Sequence, residues 1–196
     1  MTRTATIERT TKETRITLKL NLDGKGIVSA KTGVGFLDHM LDHLGRHSLC
    51  DLEISASGDL HVDDHHTVED VAICLGQALK QALGDKAGVA RYGWASVPME
   101  DALANVAIDL SGRAAVVFNV QFTSDKIGRF DTQLIDEFFR RLSAVAGINL
   151  HINVPYGGND HHVAEAVFKA FALSLRQAKA VDTSLDGTVP STKGIL

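Results

Sequence analysis

Two six-residue segments of this chain carry side chains fit for metal chemistry: Asp64-His65-His66-Thr67-Val68-Glu69 and Asp160-His161-His162-Val163-Ala164-Glu165. Each opens a stretch whose apolar residues recur at steps of three and four. Val68, Val71, Ala72, Leu75 and Leu79 follow the first, and Val163, Val167, Ala170, Phe171 and Leu175 follow the second. That spacing predicts an amphipathic helix in each place. On such a helix His65 lies one turn below Glu69, and His161 one turn below Glu165, while the second histidine of each pair is rotated by about 100°. Adjacent histidines do not easily grip one ion, but two helices can trade them. One ion then takes His65 and Glu69 with His162 from the other helix; a second takes His161 and Glu165 with His66. Mixed histidine and carboxylate sets are the usual ligands of divalent transition metals. A single His-His pair behind a capping Asp would be an ordinary helix start; the same word twice in a repeat points to metal.

The elements that hold these words repeat as well. Ile16 to Leu22 alternates apolar and polar residues as a half-buried strand does. Asp23-Gly24-Lys25-Gly26 reads as a hairpin turn and Ile27 to Thr32 as the returning strand. Residues 36–46 read as a helix, Cys50 to Ser57 as a strand, and the first metal-word helix runs to about Gly84. The second half follows suit: a strand over Ala104 to Leu110, a turn at Ser111-Gly112 and a return over Ala114 to Phe122. A helix over 131–146, a strand over Ile148 to Val154 and the second metal-word helix complete it. The reading is an α+β chain made by internal duplication of a ββαβα half, with pseudo-repeats at about 1–90 and 91–180. Two such halves can pair their helices into a layer between two sheets. Val181 to Leu196 is a tail without periodicity. Superposing the penultimate helices sets His39 over Glu137, which gives each ion a fourth protein ligand. A six-coordinate ion such as Mn²⁺ then keeps open positions for a substrate.

Composition narrows the class. The chain has 196 residues, enough for one sizeable domain, with 44% hydrophobic and 22% charged residues, as in soluble globular proteins. A net charge of −4 and the lack of any Lys/Arg run exclude a nucleic-acid groove. The polar start MTRTATIERTTKETR has no apolar signal core, and no stretch approaches the length of a membrane span. Cys50 and Cys74 lie in apolar surroundings and read as buried free thiols of a cytoplasmic protein.

FLDHMLDHLGRHS (36–48), DDHHTVED (63–70), DHHVAEAVFKAF (160–171) and PSTKG (190–194) closely resemble the imidazoleglycerol-phosphate dehydratase family. The similarity runs from Thr11 to Gly194. The resemblance implies a monofunctional hydro-lyase of histidine biosynthesis, a single catalytic domain that dehydrates D-erythro-imidazole glycerol phosphate to imidazole acetol phosphate. It implies four helices between two four-stranded mixed sheets, a fold also seen in the second domain of a ribosomal small-subunit protein. It implies two Mn²⁺ per site. His39, His66, His161 and Glu165 match one ion, and His65, Glu69 and His162 the other. Many relatives have His where this chain has Glu137, so the fourth ligand of the second ion departs from the pattern. Arg91, Arg113, Lys169, Ser191 and Lys193 match phosphate-side residues, with Thr192 between the last two. Glu13 matches a residue reaching in from a neighbouring chain. Trimers assembling into a shell of twenty-four chains, with metal sites at subunit contacts, are implied too. His43 and His47, one and two turns after His39, line the pocket or the surface; His61 is undecided, and His151 alternates along a strand.

The chemistry implied asks for what these residues offer. The departing hydroxyl sits on the carbon attached to the imidazole, and the proton to be lost is on the next carbon, which no carbonyl acidifies. Metal on a ring nitrogen favours imidazolate, which expels the hydroxyl; a carboxylate then takes the proton and the enol becomes a ketone. Glu165, Glu69 and Glu13 are the candidate bases, with Glu165 preferred. A two-metal hydrolase and a non-catalytic metal-assembled shell are the rival readings of the same ligands.

Overall fold

The computed structural model of the chain describes residues 2–194; Met1, Ile195 and Leu196, the extreme ends of the expected domain and tail, lie outside the described residues. The first half contains β1 (Thr4–Thr10), β2 (Thr14–Asn21), β3 (Val28–Lys31), α1 (Gly35–Ser48), β4 (Asp51–Gly58) and α2 (His65–Leu83). The second contains β5 (Tyr92–Met99), β6 (Ala102–Asp109), β7 (Ala115–Asn119), a small hairpin of β8 (Lys126–Ile127) and β9 (Phe130–Asp131), α3 (Gln133–Ala146), β10 (Asn149–Tyr156) and α4 (Asp160–Ala178). Each half forms a four-stranded mixed sheet, in the orders β1-β2-β4-β3 and β5-β6-β10-β7. The registers match: Leu18 faces Ile54 with Ala30 on its far side, and Val106 faces Ile152 with Phe118 on its far side. The α+β duplication is therefore present, but each half's main sheet has one strand more than the three of ββαβα, and the second half adds the β8–β9 hairpin. The extra strands, β1 and β5, lie at sheet edges and each fully buries only its second residue, Ala5 and Gly93, so neither carries the apolar face that marks the inner strands.

The expected hairpins at 23–26 and 111–112 are corrected. β2 and β3 are not neighbours; β4 lies between them, antiparallel to β2 and parallel to β3. The reason is local. The Asp51 carboxylate at the start of β4 accepts hydrogen bonds from the Lys25 and Ile27 amides at 2.8 and 2.9 Å, drawing the turn across that strand. Asn149 does the same in the second half, donating to Ser111 Oγ and to the Arg113 carbonyl. Parallel strands need a crossover, and α1 and α3 supply it.

The helices lie between the sheets. α1 packs on α4 and α2 on α3, so each contact joins the two halves. Phe138, Phe139, Phe168 and Phe171 fill the centre, with ring centroids 4.9 to 5.3 Å apart. α2 and α3 come close at Gly76, where an added Cβ would lie 2.9 Å from the Leu142 carbonyl oxygen and from Val145 Cβ. Both cysteines are buried and unpaired, and no helix among the described residues is long and apolar enough to cross a membrane.

Candidate active site

The metal-word helices begin with their histidines turned outward. Neither Asp64 nor Asp160 caps its helix as expected. The residue before each does so: Asp63 accepts from the His65 amide and Asn159 from the His161 amide, at 2.8 and 2.9 Å. Asp160 instead accepts from the Thr123 and Ser124 amides, tying the β7–β8 loop to α4.

Cross-half packing builds two nests of ligand atoms. In the first, α1 meets α4. Glu165 lies buried, with His39 Nε2 2.9 Å and His161 Nε2 3.0 Å from Oε1, and Lys169 Nζ 2.6 Å from Oε2. His43 Nε2 is 3.4 Å from Oε2 without hydrogen-bond geometry, and neither of its buried nitrogens has a partner. Burial opposes ionisation of Glu165, but the hydrogen bonds from Lys169, His39 and His161 outweigh it and hold the carboxyl well below the usual range. Burial lowers the pKa of His43, so its imidazole stays neutral further into acid, with His47 stacked on it at 5.8 Å. In the second nest, α2 meets α3. His65 Nε2 lies 3.9 Å from Glu69 Oε2, and Glu137 faces both. Arg141 Nε contacts Glu69 at 3.1 Å and Glu137 at 2.5 Å.

These donor sets fit divalent ions. One ligand atom from each of His65, Glu69 and Glu137 lies within 4.8 Å of the others, and the same holds for His39, His43 and Glu165. Such separations need only small rotamer changes to reach one ion. Glu137 therefore stands with His65 and Glu69.

Two expected ligands stand apart. Within one chain the metal-word helices do not pack on each other, so the direct trade of His66 for His162 is not made there. His66 Nδ1 meets Asp59 at 3.0 Å, and its Nε2 lies 3.7 Å from Glu13. His162 Nδ1 meets Asp101 at 2.7 Å. Each ring is thus oriented by a carboxylate on Nδ1, the arrangement that aims Nε2 at a metal. The Asp59 hydrogen bond raises the pKa of His66, and the hydrogen bond to His162 lowers that of Asp101. No sequence spacing links Asp101 to His162; Glu137 and Arg141 stand four apart on α3, but the contact of Arg141 with Glu69 is invisible until α2 and α3 pack.

A third group gathers at the start of β5. Arg91, Arg113, Ser191, Thr192 and Lys193 line a cavity of about 550 Å³. Lys169 is not among them; it belongs to the first nest. Arg91 donates from Nε and Nη2 to Asp109, at 2.7 and 3.2 Å, and from Nη1 to the Pro190 carbonyl at 2.7 Å. Its left-handed backbone, φ 73°, is held by main-chain bonds to Ala178 and Leu110. His61 lies exposed on a turn, and His151 is exposed on β10.

A model of the imidazoleglycerol-phosphate dehydratase family matches residues 32–175. The chain is 57% identical over 196 residues to the imidazoleglycerol-phosphate dehydratase of Granulibacter bethesdensis, covering 100% of both. It is 56% identical over 194 residues to that of Nitrobacter hamburgensis, covering 99% of this chain and 98% of the relative. The crystal structure of the Staphylococcus aureus enzyme is similar with a TM-score of 0.83 at 39% identity, over 91% of this chain and 99% of that one. The Pyrococcus furiosus structure gives 0.81 at 36% identity, over 97% and 100%.

Proposed function

The chain belongs to the imidazoleglycerol-phosphate dehydratase family, and from that premise we propose that it works with two Mn²⁺ ions held at contacts between copies of itself. As a member it is a hydro-lyase that removes water from imidazoleglycerol phosphate in histidine biosynthesis. The hydrolase and metal-shell readings fall with that membership.

The observation that carries the two-ion reading is the pair of incomplete nests beside two carboxylate-oriented histidines that point elsewhere. His39, His161 and Glu165 form one ligand set, with His43 at its edge; His65, Glu69 and Glu137 form the other. A neighbouring copy would complete them with His66 and His162. Glu13 sits beside His66, so one neighbour would bring a ligand and a carboxylate together. Trimers and a twenty-four-chain shell are the assemblies we expect. The buried free thiols fit a reducing, cytoplasmic setting.

A bound ion supplies Lewis acidity, lowering the pKa of a ring nitrogen and orienting a hydroxyl. The protein's own groups do the rest. Arg113, Lys193, Ser191 and Thr192 hold the phosphate through charge-assisted hydrogen bonds, while Arg91, with three of its five donors committed, holds the tail in place. The C–O bond beside the ring breaks with loss of hydroxide, and the proton on the next carbon passes to a carboxylate; hydroxide and that proton together make up the water removed. We assign that carboxylate to Glu13 and not to Glu165. Glu165 is saturated by Lys169, His39 and His161 and too weak a base in that setting. The enol then tautomerises to the ketone.

The test uses the full-length protein, stripped of metal and reloaded with Mn²⁺, then mixed with imidazoleglycerol phosphate. Ketone should form without free phosphate, and only in the reloaded sample. Equal turnover in the stripped sample would overturn the metal dependence.

A further inference from the structure

Under the duplication that sets His39 over Glu137, His43 falls on Arg141. The first half thus places two imidazoles one turn apart where the second places a carboxylate and a guanidinium. Arg141 Nε touches Glu137 and Glu69 at once, the two carboxylates of the second nest. We infer that Arg141 is a resident cation of this nest: it occupies the charge position that a divalent ion would take, and it sets how tightly that ion binds. The inference rests on the two-ion reading above.

The argument begins with charge. His65, Glu69 and Glu137 bring two carboxylates into one small volume, and among the described residues Arg141 is the one lysine or arginine that ion-pairs with either; Arg9, bound to Asp70, acts on Glu69 only from a distance. Two ionised carboxylates sharing a site repel, and a guanidinium between them offsets this. Arg141 cannot do so by giving up a proton, because a guanidinium stays charged throughout the accessible pH range. An arriving divalent cation must therefore push it aside. The geometry allows that, since the Arg141 side chain is 47% exposed on a long flexible stem at the surface of α3. Once displaced, it remains tethered nearby and repels the ion.

The first nest differs. It holds one carboxylate, Glu165, and Lys169 supplies the cation from the same helix. Only the second nest has two carboxylates bridged by one arginine, so Arg141 is a positioning residue that makes the two sites unequal.

Metal-free protein is titrated with Mn²⁺, and the loss of the free-ion electron paramagnetic resonance signal gives the number and affinity of sites. Wild type should show two classes of site. Glu137→Ala marks the class belonging to this nest by weakening it. Arg141→Ala should tighten that same class by about ten-fold and leave the other unchanged, since the arriving ion then neither displaces a bound cation nor meets its repulsion. Arg141→Lys, which keeps a charge but not the fork, should fall between. Circular dichroism confirms that each variant is folded. Two sites in wild type with unchanged or weaker binding in Arg141→Ala would overturn the role of Arg141 alone. A single site in both wild type and Arg141→Ala would overturn the metal reading of this nest and the inference with it. One site in wild type but two in Arg141→Ala would support the inference in its strongest form.

Discussion

The three carboxylates expected to compete for the role of base are separated by their surroundings. Glu165 accepts from two imidazoles and an ammonium, Glu69 is engaged by Arg141 and His65, and Glu13 stands exposed near His66. Glu13→Gln should therefore lower kcat by at least about 10²-fold, the low end for general base loss, with the manganese content unchanged. Glu165→Gln should lose manganese before it loses anything else; elemental analysis beside kinetics separates the two. The His66–Asp59 pair gives a second prediction. Its hydrogen bond raises the His66 pKa, so its stabilising effect is fully present below the ordinary histidine value and is lost as pH rises through the raised one. A metal takes the neutral ring, so for the ligand role the sign reverses: protons begin to compete at a higher pH than for an ordinary histidine. Asp59→Asn should bring the His66 pKa down in an NMR titration of metal-free protein; an unmoved value would remove Asp59 as its orienting partner. At this scale the ligands were legible because histidine and glutamate at helical spacing announce themselves. Asp59, Asp101 and the contact of Arg141 with Glu69 were not, because packing brings those partners together.

The elements divide in the same way. The helices and the buried strands β2, β4, β6 and β10 show their periods in sequence because one face of each is apolar. The edge strands β1 and β5 do not, and the crossover of β3 and β7 past β4 and β10 depends on Asp51 and Asn149, each reaching back to a turn. Packing of α2 on α3 fixes the second nest and hinges on the absence of a side chain at Gly76. Gly76→Ala gains about 1 kcal/mol of helix propensity, but forcing a methyl group against the Leu142 carbonyl and Val145 costs about 1–3 kcal/mol. A net loss of up to about 2 kcal/mol in urea unfolding is expected. Manganese binding at the His65/Glu69/Glu137 nest should weaken as well, while the first nest holds. Unchanged binding at both would show that the helices adjust without moving their ligands.

For the whole molecule, two histidines pointing away from their own nests lead us to propose that metal binding and assembly are coupled. Complete chelation should break the particle into smaller units, trimers by our expectation, and restored Mn²⁺ should reverse this in light scattering; no change in size would place every ligand within one chain. The pairing of α1 with α4 and α2 with α3 has a further meaning. Each nest draws on both halves, so neither half could hold an ion by itself. Two separate copies of a single half, docked about a two-fold axis, would make both nests at once and make them identical. Joining the copies into one polypeptide frees each nest to change without its twin. The His39–His43 pair on one side and Glu137–Arg141 on the other are the mark of that freedom: two positions equivalent under the duplication now carry different chemistry.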